Sequence, residues 1–201
     1  MTFVLALLVC YLIGSVPTAY WLVRLTTGTD VRTVGSGNVG ATNAMRTAGP
    51  VIGVIVLLVD ILKGVLAVWL VPRAVLNASG LERILACGLA AVLGHIFPCF
   101  LRFRGGKGVA TTLGVLLGSM PIIAAIVMGT WIIGFALTRY VSIGSLVAAV
   151  AIPTAQLIMR QSLPAVLLGA CLAVLIIVRH RANIQRLLGG VEHRAWSRKG
   201  H

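Results

Sequence analysis

The chain has 201 residues, of which 59% are hydrophobic and only 10% charged, with a mean hydropathy of +1.03 and a formal charge of +13. Soluble domains typically carry charge on about a quarter of their residues, so this composition excludes a water-coated globule and leaves lipid as the solvent. It also excludes a nucleic-acid-binding domain, because no soluble basic surface exists to form a groove.

Apolar stretches at 3–23, 51–71, 81–100, 109–120, 122–137, 143–159 and 163–178 predict an all-α integral membrane protein of about seven spans. Most approach the ~20 residues that cross a bilayer core; the fourth is short. Met120-Pro121 is the only punctuation between the fourth and fifth, so six spans is the alternative. Met1-Thr2-Phe3 leads straight into the first apolar run without basic residues, and that run is expected to be retained as a span. Cys10, Cys87, Cys99 and Cys171 lie scattered without a C-x-x-C pair, and read as small buried hydrophobes rather than metal ligands or disulfides.

Seven spans with the N-terminus outside organise the cations. Arg24, Arg32, Arg46, Arg102, Arg104, Lys107, Arg139, Arg179, Arg181, Arg186, Arg194, Arg198 and Lys199 fall inside. Arg73, Arg83 and Arg160 fall outside, and Lys63 lies within a span. This asymmetry predicts a cytoplasmic C-terminus, and it explains most of the net charge without a substrate. The expected organisation is one polytopic domain over 1–201, with polar cytoplasmic segments near 26–50, 101–112 and 179–194. No internal repeat is visible, which disfavours carrier folds built from duplicated halves.

The first segment contains Gly35-Ser36-Gly37-Asn38-Val39-Gly40, a formal G-x-G-x-x-G. A dinucleotide fold needs a βαβ unit, and none fits between two spans. Clustered glycines nevertheless let backbone N–H groups converge on an anion. Ser36, Asn38, Thr42 and Asn43 add neutral donors, and Arg46 adds a bidentate charge.

The second segment, 102–112, is not a Walker A loop, because Gly108 replaces the required Ser or Thr. Gly108 is expected to open a helix whose positive N-terminal end faces the cytoplasm. Lys107 before it, among Gly105, Gly106 and Gly108, suits a phosphate bound by N–H groups and one ammonium. In the third segment, a helix through 179–192 would put His180, Asn183 and Leu187 on one face. Such a helix would suit either anionic lipid headgroups or a polar target. Glu192 is expected to pair with an arginine and hold the tail. Asp60 and Lys63, at i,i+3 inside the second span, read either as a mutual ion pair or as the floor of a polar cavity. His95 reads as a satisfied core histidine.

Together these residues resemble the PlsY family, the bacterial acyl-phosphate:glycerol-3-phosphate acyltransferases. The resemblance rests on Ser36–Arg46 (S-G-N-x-x-G-x-T-N-x-x-R), Lys107–Thr111 (K-G-x-A-T) and His180–Glu192 (H-R-x-N-I-x-R-L-x-x-G-x-E), and it extends over nearly the whole chain. It implies transfer of a fatty acyl group from acyl phosphate to the 1-hydroxyl of glycerol 3-phosphate, giving lysophosphatidic acid and phosphate in the bacterial inner membrane. Membrane lipids and the peripheral enzyme that makes acyl phosphate are the implied partners, with no cofactor or metal. The H-x-x-x-x-D motif of other glycerolipid acyltransferases is absent: five residues after His95 comes Phe100, and after His180 comes Gln185.

Under this reading Ser36, Arg46, Lys107, His180 and Asn183 bind and orient the reacting phosphates. Gly37, Asn38, Gly40, Thr42, Asn43, Arg104, Gly106, Gly108 and Thr111 complete substrate binding, while Asp60, Lys63 and Glu192 are structural. The proton of the attacking hydroxyl goes either to His180 or to a substrate phosphate oxygen. The rival expectation is a membrane carrier for a small organic phosphate, but the spans hold few polar residues to line its path.

Overall fold

A computed structural model describes residues 2–76 and 80–195, and all regular structure in these residues is helical. Arg198 and Lys199 of the tail, Met1, and 77–79 of the outer connection lie outside the described residues. The chain forms two compact units, Met1–Pro121 and Ile122–His201.

In the first unit, α1 (Thr2–Ser15) stops where Pro17 removes a backbone donor, and α2 (Thr18–Thr27) restarts immediately after it. Gly28, at φ 70°, ends α2. The polar segment that follows contains a short helix, α3 (Ala41–Ala48), bounded by Gly40 and Gly49. Pro50 then starts α4 (Pro50–Trp69), where its missing N–H costs nothing. A π-type turn at Pro72–Leu76 leads to α5 (Leu81–Ile96), a 3₁₀ turn at Cys99–Leu101 and α6 (Val109–Ser119).

Lipid tails are as apolar as leucine, so helices in a membrane associate through close packing of small residues. Two such contacts frame this unit. A Cβ on Gly64 of α4 would fall on the Thr111 carbonyl of α6, and one on Gly114 of α6 would fall on the Ile61 carbonyl of α4. Likewise Gly14 of α1 lies against the Ala91 carbonyl, and Gly94 of α5 against the Tyr11 carbonyl. Large apolar side chains such as Val4, Leu25 and Leu58 stay exposed to the lipid.

The second unit comprises α7 (Pro121–Thr138, from Ile122), α8 (Val141–Ile158), α9 (Leu163–Arg179) and α10 (Arg181–Leu188). Trp131 stacks on Phe135 and donates to the Ser145 hydroxyl, tying α7 to α8. Gln156 of α8 sits against Gly169 of α9.

All seven apolar stretches are helical, and five helical segments are long and apolar enough to cross a bilayer, or six if α9 and α10 form one broken span. With 11 residues at ~1.5 Å each, α6 falls well short of the ~30 Å core. Of the cysteines, Cys10 and Cys87 are buried as expected; Cys99 and Cys171 are exposed, which corrects that expectation. An apolar thiol on a lipid-facing surface needs no burial in protein.

Candidate active site

In the first unit an apolar cluster gathers two of the three polar segments at one end. Val31, Val39 and Ala44 of the first segment pack with Leu101 of the second, on Ala19, Val23 and Val56. The loop before α3 is then fixed by one side chain. Asn43 is buried; its amide donates to the Val31 and Val34 carbonyls at 2.9 and 3.0 Å, and its Oδ1 accepts from the Ser36 N–H at 2.9 Å.

This corrects the reading of Asn43 as a substrate donor, because both its N–H groups already hold the loop. It also narrows the anion cradle. The Ser36 N–H is taken by Asn43, and the Gly37 N–H donates to Val34 O. What remains at this loop are the exposed Ser36 side chain, the half-buried Asn38 and Thr42, and the Ala41 and Thr42 amides at the start of α3, since the Asn43 N–H donates to Gly40 O. Arg46 is exposed on the last turn of α3, one turn from Thr42 on the same face. Gly35 and Gly37 hold φ of 62° and 68°, which side-chain-bearing residues rarely adopt.

The second segment is strapped to the end of α5. The Gly105 N–H donates to Ile96 O at 3.1 Å and the Gly106 N–H to His95 O at 3.0 Å. A Cβ on Gly106 would strike the His95 ring, so only glycine lets the strap lie this close. These bonds correct the idea that the Gly106 amide itself cradles an anion. Gly108 adopts φ 85° and opens α6 at Val109, as the sequence predicts, leaving half-buried Lys107 immediately before the positive end of the helix dipole. Thr111 is fully buried in α6, and among the described residues its hydroxyl has no hydrogen-bond partner. Arg104 is exposed and lines a cleft with Arg32 and Arg102 that does not include Lys107.

Beneath the strap lies a polar cluster. Lys63 Nζ sits 2.5 Å from Asp60 Oδ1 and donates to Val16 O at 2.7 Å, next to the Pro17 break. Such pairing offsets the high cost of charge in the membrane interior. His95 Nδ1 lies 3.8 Å from Asp60 Oδ1. A small cavity of about 10 Å³ adjoins Asp60, Lys63, His95, Gly105 and Gly106, together with Ser15 and Thr18. Asp60 and Lys63 therefore form an ion pair and also border a polar cavity. Ser15 and Thr18, with buried hydroxyls lacking hydrogen-bond partners, escaped the sequence reading. Only their place beside a proline in the first span hinted at a role.

In the second unit His180 ends α9 and precedes α10, and the chain bends by 56° there. This corrects the expected continuous helix with His180 and Asn183 on one face. Both residues are nonetheless buried. His180 Nδ1 contacts Ile176 O at 2.8 Å, and because a carbonyl only accepts, Nδ1 is the donor in that contact. Glu192 gathers the segment: Oε1 accepts from Asn183 at 2.6 Å and Ser142 at 3.0 Å, and Oε2 from Arg186 at 2.6 Å. Burial works to raise its carboxyl, but the bonds from Asn183, Arg186 and Ser142 outweigh it and hold the group below the usual glutamate range.

Residues 4–190 match the family model described as glycerol-3-phosphate acyltransferase. The chain belongs to this family. A family glycerol-3-phosphate acyltransferase of Syntrophomonas wolfei is 42% identical over 187 residues, covering 92% of this chain and 93% of that protein. Another, of Desulforudis audaxviator, is 48% identical over 189 residues, covering 94% and 93%. Among solved structures, PlsY, an integral membrane glycerol 3-phosphate acyltransferase, in its glycerol 3-phosphate form gives a TM-score of 0.89 at 38% identity, covering 97% of this chain and 96% of that one. Its lysophosphatidic acid form gives 0.85 at 36%, covering 96% and 95%. The likeness to an integral membrane family member, together with the apolar helices, identifies this chain as a multi-pass membrane acyltransferase.

Proposed function

We infer that this protein transfers a fatty acyl group from acyl phosphate to the 1-hydroxyl of glycerol 3-phosphate, giving lysophosphatidic acid and inorganic phosphate. Family membership supports the reaction class, and the glycerol 3-phosphate and lysophosphatidic acid forms of the solved relative support acceptor and product. The observation that carries it is Lys107 at the N-terminus of α6, held there by the strap onto His95 and Ile96.

Acyl phosphate is already activated, so no covalent enzyme nucleophile is required. The hydroxyl oxygen forms a bond to the acyl carbon, the bond from that carbon to the phosphate oxygen breaks, and phosphate departs with the electron pair. The protein's work is to orient two anions that repel each other and to stabilise the departing charge. Lys107 supplies a compact ammonium beside the α6 dipole, and Arg46 supplies a bidentate fork. Ser36, Asn38, Thr42 and the amides around Gly40 and Gly108 offer neutral donors. His180 Nε2 accepts the hydroxyl proton, or a substrate phosphate oxygen does. Asn183, tethered by Glu192, keeps the segment after His180 in place.

By the same reading the protein lies in the bacterial inner membrane as one functional domain of about seven spans, with its N-terminus outside. A peripheral enzyme that makes acyl phosphate is its natural neighbour. The test is purified protein with labelled glycerol 3-phosphate and each of three donors. Acyl phosphate should yield labelled lysophosphatidic acid, while acyl-CoA and acyl carrier protein should not. Robust turnover with acyl-CoA in a detergent-clean assay would sink the donor assignment.

A further inference from the structure

The cleft that contains Arg104 is a second place where this chain concentrates positive charge. It has a volume of about 530 Å³ and is lined by Arg32, Arg102, Arg104, Tyr20, Phe100 and Leu101. That volume falls in the range of small-ligand sites, roughly 300–1,000 Å³. Neither Lys107 nor Arg46 lines it.

The side chain of Arg32 and the backbone that carries Arg102 and Arg104 are held in place. Arg32 pairs through Nε and NH2 with Asp30, at 3.0 and 2.6 Å, and its guanidinium stacks 5.0 Å over the Tyr20 ring. Arg32 in turn holds the Asp30 carboxyl below its usual range. Arg102 and Phe103 adopt φ of 51° and 62°, a left-handed conformation uncommon in non-glycine residues. A turn over Pro98 enforces it: the Pro98 carbonyl accepts from both Leu101 and Phe103, and the Arg104 N–H donates to Leu101 O. Strained backbone that the surroundings over-determine is a recurrent mark of ligand sites.

Charge and surface together specify the ligand. Asp30 is the one acid paired with these three guanidiniums among the described residues, so positive charge remains in excess. Guanidinium forks match phosphate geometry. The remaining walls are apolar, with Phe100 58% exposed, and the same α2 that supplies Tyr20 exposes Trp21 and Leu25. A wholly hydrophilic anion would leave those walls unused.

We propose that this cleft binds the phosphate head of an anionic amphiphile, as a site separate from the one at Lys107. The head could belong to an anionic bilayer phospholipid or to a single-chain phosphate such as lysophosphatidate. The proposal stands whether or not the acyl-transfer reading holds.

The test uses full-length Lys107→Ala protein, in which phosphate binding at the first site is weakened. It is purified in neutral detergent and titrated with phosphatidylglycerol, lysophosphatidate, phosphatidylcholine or inorganic phosphate, with retained molecules counted by native mass spectrometry. At least one anionic amphiphile should be retained, and phosphatidylcholine and inorganic phosphate should not. Whichever anionic amphiphile binds identifies the source. Adding Arg32→Gln and Arg102→Gln should raise its half-saturating concentration by about tenfold or more, as expected for loss of charge-assisted bonds. Both side chains are at the surface, and helicity by circular dichroism should match that of the parent. The proposal is overturned if the parent retains no anionic amphiphile in preference to phosphatidylcholine, or if the variant, equally helical, binds as the parent does.

Discussion

In the proposed reaction Lys107, among its glycine neighbours and just before α6, acts as a fixed positive charge on a phosphate and not as a proton acceptor. Lys107→Ala should lose about 2–4 kcal/mol of transition-state stabilisation, the scale of removing one charge-stabilising donor. Lys107→Arg should retain partial activity with a similar pH profile, because it keeps the charge but brings a bulkier fork against the glycines. His180→Ala separates the two routes for the proton: it flattens the acidic limb of the rate profile if Nε2 is the base, and only lowers the rate if a substrate phosphate takes the proton. Steady-state rates of the three variants against pH measure all of this. An alanine variant at Lys107 with near-normal rate and normal apparent affinity for both substrates would remove Lys107 from the site. Asn43 shows the limit of residue-type reasoning. An asparagine among glycines looks like a ligand donor, and only coordinates reveal that Val31 and Val34 already occupy its amide.

At the scale of elements, the spans were legible because apolar runs in lipid have no alternative to helix. The short helix α3 was not, since eight residues with four polar side chains carry little periodic signal. Nor was the bend at His180, where no proline or glycine marks the break. α6 owes its position to Gly64 and Gly114, whose contacts bring its backbone onto α4 and so set where Lys107 stands. Gly114→Leu should force the two helices apart and cost about 1–3 kcal/mol or more by overpacking, read as a lower thermal midpoint and lower activity together. A variant of unchanged midpoint and activity would show that this contact does not fix α6. The segment after α10 depends on a carboxylate instead. Since the Glu192 carboxyl is depressed in the folded protein, its stabilisation is fully present above the ordinary glutamate value of about 4.3 and is lost as pH falls through the lower folded value. Protease sensitivity of the segment after Leu188 should therefore rise as the pH falls below the ordinary glutamate range, and Glu192→Gln should show that sensitivity already at neutral pH. Equal protection of wild type and variant at pH 7 would contradict the tether.

At the scale of the whole molecule, the polar segments divide between the units, the first two within Met1–Pro121 and the third within Ile122–His201. One reaction that uses all three requires them on the same side of the membrane, so topology is a condition of the proposed function. The cations argue for it: thirteen fall on the side of the three segments and three on the other when the apolar stretches are counted as seven crossings. The count is sensitive to α6, whose 11 residues are short for a crossing. If α6 did not cross, parity would change after residue 119 and the third segment would emerge opposite the first two. Single cysteines at exposed positions, Thr33→Cys, Phe103→Cys and Leu188→Cys, in a background lacking the four native cysteines, decide the matter. In intact cells none of the three should react with a membrane-impermeant maleimide, and all three should react once the cells are opened. Labelling of Leu188→Cys alone in intact cells would mean that α6 fails to cross, and His180 would then have no place in a reaction with Lys107.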